Sequence, residues 1–228
     1  YLNAEISKMT NANEVFGAFS QGYSRWGDVL AQSHVSSGPA MADVLDKLMS
    51  LEIVQKRAPI NDPTNKRKSG YFVVDPLSLF YYRYVFRNAS ARQLLDPEVF
   101  YDRHVSQDFE ENYVPHMFEE ICRQYLVRQN RTGKIAPAFD AIGKYWYDDP
   151  ANKTSGEFDV VTQDPEGYAF YEAKFRKSPV TQKMVDEEIT QVEATGLKCH
   201  RYGFFSRSGF EAGESDRTVF IDLPQMFG

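Results

Sequence analysis

Hydrophobic and polar positions alternate most regularly between Gly156 and Phe175 (GEFDVVTQDPEGYAFYEAKF), with one interruption at Asp164-Pro165-Glu166-Gly167. Period-two alternation broken by a Pro- and Gly-containing tetrad is the signature of a β-hairpin. A four-residue loop closed by Gln163 opposite Tyr168 sets Val161 opposite Phe170, Asp159 opposite Glu172 and Glu157 opposite Lys174. Charge then collects on one face. The other face, with Phe158, Val160, Thr162, Ala169, Tyr171, Ala173 and Phe175, is apolar enough to pack against a helix.

Upstream the period changes to that of helices. Residues 13–20, 25–32 and 40–50 read as three short helices, the third with Met41, Val44, Leu45 and Leu48 on one stripe, Ser36 and Ser37 as caps and Pro39 in its first turn. Ile53-Val54-Gln55 and residues 71–74 read as strands on either side of a loop. Three helices and a hairpin predict a winged helix-turn-helix over residues 1–75. Asp75-Pro76 caps a new helix whose stripe, Leu77, Phe80, Tyr81, Tyr84 and Val85, reads as core, and a second domain is expected over 76–228. Pro115 starts or kinks the next helix. Phe118, Ile121, Cys122, Tyr125 and Leu126 form its apolar face, with Glu119 at the edge and Glu120 as the competing acid. Residues 145–147 give a first strand and 180–195 a helix with Met184, Val185, Ile189 and Val192 inward, ended by Gly196. Strands at 201–205 and 218–221 follow. The sum is α/β, a mixed sheet flanked by helices.

Asp159 and Glu172 directly opposed would repel by about 1 kcal/mol in water and about 3 kcal/mol at an effective dielectric near 20. A divalent cation between them would offset this, because Mg²⁺ takes one or two carboxylates and completes its shell with water and phosphate oxygens. Lys174, one step along, is placed to meet the same phosphate. The competing reading makes Glu172 and Lys174 solvated residues on the wet side of a half-buried hairpin.

The ordered words Gly143-Lys144-Tyr145-Trp146, Gly156-Glu157-Phe158-Asp159 and Tyr171-Glu172-Ala173-Lys174-Phe175, preceded by Phe118-Glu119, resemble the PD-(D/E)XK nuclease superfamily. More narrowly, the chain resembles the C-terminal part of the archaeal-type P-loop (AAA-like) ATPase family, a winged helix followed by a domain of unknown function with a nuclease-like core. The resemblance implies a restriction-endonuclease-like fold, Mg²⁺ or Mn²⁺ held by Asp159 and Glu172, and a catalytic set completed by Lys174 and Glu119. Gln191 is a further polar candidate on the helix after the Glu-x-Lys strand. The resemblance also implies DNA and an N-terminal P-loop ATPase domain as partners, with ATP bound only by that domain. Phe175 stands where the family often has Trp, and the link Asn152-Lys153-Thr154-Ser155 is longer than usual.

Composition narrows these expectations. The chain has 228 residues, rich in Phe (17) and Tyr (14), and a formal net charge of −6. A net acidic protein must meet DNA through a local basic patch, and Lys56, Arg57, Lys66, Arg67 and Lys68 on the hairpin supply one. The helix over 40–50 presents Asp43, Asp46 and Lys47 without Arg, Asn or Gln, so sequence-specific readout is not expected. The same module also reads as a packing element with a solvated basic loop. Two distant cysteines, Cys122 and Cys199, and the absence of a spanning apolar run point to a reducing cytoplasm, with no membrane partner. A first residue of Tyr1 suggests a fragment. No G-x-x-x-x-G-K-[ST] loop occurs, so no ATP site is expected within this sequence. His34, His104, His116 and His200 lack ligand spacing for zinc, and no G-x-S-x-G elbow is present. Two function classes follow: a metal-dependent DNA phosphodiesterase, or a non-catalytic binding or regulatory module of an ATPase.

Overall fold

The computed structural model describes residues 9–149, 154–213 and 215–227. The chain divides into two compact units, one of Tyr1–Ala58 with Thr64–Phe109 and one of Pro59–Pro63 with Glu110–Gly228. The Asp75-Pro76 step, where the sequence places a boundary, lies inside the first unit.

In that unit α1 (Ala12–Ser20), α2 (Trp26–Ser33) and α3 (Gly38–Ser50) precede an antiparallel hairpin of β1 (Val54–Arg57) and β2 (Gly70–Val73). Ser37 caps α3 by accepting from Ala40 N–H. Val15, Phe16, Val29, Met41, Leu45 and Leu48 bury their side chains together, as apolar residues on facing helical stripes must. Asp75 accepts from Ser78 N–H at 2.8 Å and starts α4 (Pro76–Phe80), which widens into a π-helical stretch over Tyr81–Phe86. The expected stripe holds only in part. Tyr84 is buried as expected, but Leu77 is 75 % exposed and Tyr81 faces outward, whereas Leu79 and Tyr82, outside the stripe, are buried. A strict 3.6-residue count does not survive a π turn. Arg83 and Tyr84 then both bind Asp108, with Arg83 Nη2 and Tyr84 OH each 2.7 Å from its carboxylate, which fastens the end of the unit after α5 (Ala89–Leu94) and α6 (Pro97–His104).

The second unit is mixed α/β. Its α7 (Val114–Arg131) carries Pro115 in the first turn, directly after a second π-helical stretch at Phe109–Tyr113. Five strands follow in the sheet: β3 (Ala141–Asp149), β4 (Thr154–Asp164), β5 (Gly167–Lys174), β7 (Cys199–Ser206) and β9 (Thr218–Asp222). They lie in the order β3-β4-β5-β7-β9, antiparallel across the first three and parallel across the last three. The crossover from β5 to β7 passes through a short β6 (Val180–Thr181), which pairs with β8 (Phe210–Glu211), and through α8 (Gln182–Glu193). A short α9 (Leu223–Phe227) follows β9. The edge of β3 is covered by Pro59–Pro63: Ile60 N–H donates to Lys144 C=O at 2.7 Å, and the Asn61 side chain exchanges two hydrogen bonds with the Trp146 backbone.

Both sheet faces are buried. Phe118, Cys122 and Leu126 of α7 cover Val160, Ala169, Tyr171 and Phe205, while Val185 and Val192 of α8 share the opposite core with Phe158, Val161, Phe170 and Phe204. The expected wet face of the hairpin is therefore a second core, closed by the crossover helix that parallel strands require. Ile121, expected on the apolar face of α7, is 39 % exposed. None of the described helices is long and apolar enough to cross a membrane.

Candidate functional site

The hairpin forms with Gln163 paired to Tyr168 and Val161 to Phe170. Asp164 sets the turn: its Oδ1 accepts from the N–H groups of Glu166 and Gly167, and Gly167 adopts a φ of +138° that a side chain would resist. The β4–β5 ladder ends at Val160–Tyr171, so neither Asp159 with Glu172 nor Glu157 with Lys174 forms the expected cross-strand pair. The reason is a bulge. Gly143 pairs with Val161 but Tyr145 pairs with Phe158, which leaves Asp159 and Val160 together opposite Lys144. One extra residue reverses the alternation below it, which moves Phe158 onto the Val161 face.

The bulge brings Lys144 to the acids. Its Nζ donates to Asp159 Oδ1 at 2.8 Å and to Glu157 Oε1 at 2.7 Å. On the neighbouring strand Lys174 Nζ lies 2.7 Å from Glu172 Oε1, and it donates to Glu188 Oε1, from α8, at 2.6 Å. Lys174, Glu172 and Glu188 side chains are only 21 to 25 % exposed. Burial, followed by the charges of Glu188 and Asp159, pushes the Glu172 carboxyl up to about 7, with Lys174 pulling the other way. Burial disfavours the Lys174 ammonium, yet Glu172 and Glu188 outweigh it and hold the group above the ordinary lysine range. The same contest raises Lys144, where burial is overcome by Asp159 and Glu157. Glu172, Lys174 and Glu188 thus form one cluster, and Asp159, held by Lys144, lies near enough to add its charge to Glu172.

Glu188 and Lys144 were not among the site residues read from sequence. Glu188 had a signal: it falls on the inward stripe of Met184, Val185, Ile189 and Val192, where a carboxylate needs a partner. Lys144 had none, because its place depends on the bulge. Beside the cluster a cavity of about 20 Å³ is lined by Glu172, Glu188, Phe158, Phe170, Val192 and Phe204. It has room for a water and none for an organic ligand.

The remaining candidates have other surroundings. Glu119 sits on α7, which covers the other sheet face, with His116 Nδ1 at 3.5 Å, while Glu120 binds Arg123. Gln191 donates to Tyr147 OH at 2.8 Å. In the first unit Asn65 Oδ1 accepts from the backbone N–H groups of Arg67 and Lys68, holding the basic loop, with Lys66 and Arg67 exposed. On β1 Lys56 lies over the Tyr71 ring and Arg57 over the Phe72 ring.

Among the described residues no group of three or more His, Cys, Asp or Glu side chains is arranged to hold a metal ion. The candidate ligands are a pair, Asp159 and Glu172. Each uses one carboxylate oxygen in its lysine contact, and the all-oxygen donor set suits a hard cation such as Mg²⁺ or Mn²⁺.

A family model, DUF234, described as archaea bacterial proteins of unknown function, matches residues 81–191. The match takes in Glu119, Lys144, Asp159, Glu172, Lys174, Glu188 and Gln191 and leaves out the basic hairpin. The chain is also similar to an uncharacterized protein of Methanocaldococcus jannaschii, 25 % identical over 149 residues, which are 64 % of this chain and 32 % of that protein. The matched part spans about a third of the relative's length.

Proposed function

We propose that the second unit is a PD-(D/E)XK nuclease-like domain, a Mg²⁺- or Mn²⁺-dependent DNA phosphodiesterase, and that the first unit contains a winged helix-turn-helix that contacts DNA or a neighbouring domain. In this reading both belong to the C-terminal region of a P-loop ATPase, with ATP bound outside this sequence. The observation that carries the reading is the partly buried cluster of Glu172, Lys174 and Glu188 on a mixed sheet flanked by helices, with Asp159 near enough to add its charge to Glu172.

Asp159 and Glu172 would hold the cation. When bound, the cation supplies Lewis-acid activation of water and neutralises charge on a phosphate. Lys174 keeps an ammonium beside that phosphate, preorganised by two carboxylates rather than by solvent, so that little reorganisation accompanies the build-up of charge. Partial burial of Glu172, Lys174 and Glu188 between β5 and α8 lowers the local dielectric and strengthens their interactions.

A second reading has its own support. Lys144 and Lys174 already sit against Glu157, Asp159, Glu172 and Glu188, and such an ion-pair network also serves a non-catalytic binding or regulatory module. Calorimetric titration with Mn²⁺ separates the two. The nuclease reading expects saturable binding by the wild type that Glu172→Ala abolishes. Absence of binding by the wild type favours the non-catalytic module.

A further inference from the structure

Glu172 faces two demands under the proposed function. Its carboxylate is to bind a dication, yet in the structure its Oε1 is 2.7 Å from Lys174 Nζ. A dication on Glu172 repels the ammonium one residue step away, and a lysine with no other anchor would swing out on its four-carbon stem. Lys174 has another anchor. Glu188 Oε1 accepts from Nζ at 2.6 Å, and Glu188 comes from α8, an element outside the hairpin. Its stem lies along the stripe that packs Val185 and Val192 into the core, and its side chain is 24 % exposed.

We propose that Glu188 is a positioning residue that retains the Lys174 ammonium in the cleft when Glu172 is given over to a divalent cation. The proposal rests on the metal-binding part of the function proposed above. With Glu188 in place, metal binding replaces one of two carboxylate contacts of Lys174. Without it, Lys174 leans on Glu172 alone, and the metal must break the ammonium's last ionic hydrogen bond. A hydrogen bond to a charged group of this kind corresponds to about a tenfold change in affinity or more. Glu188 acts through Lys174, so its effect must vanish when Lys174 carries no charge.

The test is a double-mutant cycle on Mn²⁺ affinity, measured by calorimetry for the wild type, Glu188→Gln, Lys174→Met and the double variant, with thermal unfolding as a check on each fold. Glu188→Gln should weaken Mn²⁺ binding about tenfold in the presence of Lys174 and less than about twofold in the Lys174→Met background. Glu188→Asp keeps the charge but withdraws it by one methylene, so it should fall between the wild type and Glu188→Gln. Equal losses in both backgrounds would make Glu188 a direct contributor to the metal's field and overturn the proposal. So would a Glu188→Asp variant indistinguishable from the wild type. A wild type that binds no Mn²⁺ removes the parent reading instead, and this proposal with it.

Discussion

Lys144 Nζ lies 2.8 Å from Asp159 Oδ1, across the bulge that sets Asp159 and Val160 together against a single residue of β3. The lysine occupies one of the two expected ligands as a built-in counter-ion. Lys144→Met should therefore raise Mn²⁺ affinity about tenfold, because the cation no longer competes with an ammonium for Asp159. The metal-free variant should lose about 1 kcal/mol of stability, a modest figure because Lys144, Asp159 and Glu157 remain 32 to 49 % open to solvent and screening. Calorimetry and unfolding with and without Mn²⁺ read both effects. An unchanged affinity would remove Lys144 from the site.

Glu172 predicts a pH dependence with a definite sign. Its carboxyl titrates near 7 in the folded chain against 4.5 for the ordinary group, so the folded state holds the proton more tightly. The stability this contributes is fully present below about pH 4.5 and is lost as the pH rises through 7, by up to about 3 kcal/mol. Glu172→Gln cannot ionise and should flatten that part of the stability profile. Mn²⁺ binding has to displace the same proton, so affinity should climb about tenfold per pH unit up to 7 and then level. A flat affinity profile between pH 5.5 and 8.5 would contradict this.

Much of the hairpin was legible because its turn announces itself: Asp164, Pro165 and Gly167 fix the loop, and the loop fixes the pairing of Gln163 with Tyr168. The position of Phe158 was not legible. A bulge leaves no mark in a period-two pattern, yet it reverses every face beyond it. The π-helical stretch at Tyr81–Phe86 hid part of the buried face of its helix, Tyr82 but not Tyr84. Glu188 reaches Lys174 from 14 positions away through a crossover connection. Alternation within a strand cannot show such a partner, although a carboxylate on an inward helical stripe hints that one exists. The mixed sheet itself followed from the order of periodic segments, which local physics does fix.

Packing around the site predicts one sensitive glycine. A Cβ on Gly203 would stand 2.1 Å from Tyr171 Cδ1, on a ring that is itself buried between β7 and α7. Gly203→Ala should destabilise the second unit by about 1 to 3 kcal/mol, the range for overpacking a filled core. Urea unfolding followed by circular dichroism measures it. A change below about 0.5 kcal/mol would show that the ring can move aside.

The basic loop predicts behaviour of another kind. Replacing Lys66, Arg67 and Lys68 by Ala should weaken DNA binding to the same extent on unrelated sequences and lower the salt slope by about 2 to 3. Fluorescence anisotropy over a range of KCl concentrations reads both quantities. An unchanged slope would assign the loop to packing.

Lys174→Ala on the full-length protein tests the central claim most directly, with divalent-metal nicking of plasmid DNA as the readout in the presence of ATP and Mg²⁺ or Mn²⁺. Asp159 and Glu172 supply the negative charge for the cation, so calorimetry should find metal binding retained or raised, while loss of the preorganised ammonium should slow nicking by about 10² to 10³. Equal nicking by the wild type and Lys174→Ala, or none by the wild type, would contradict the account.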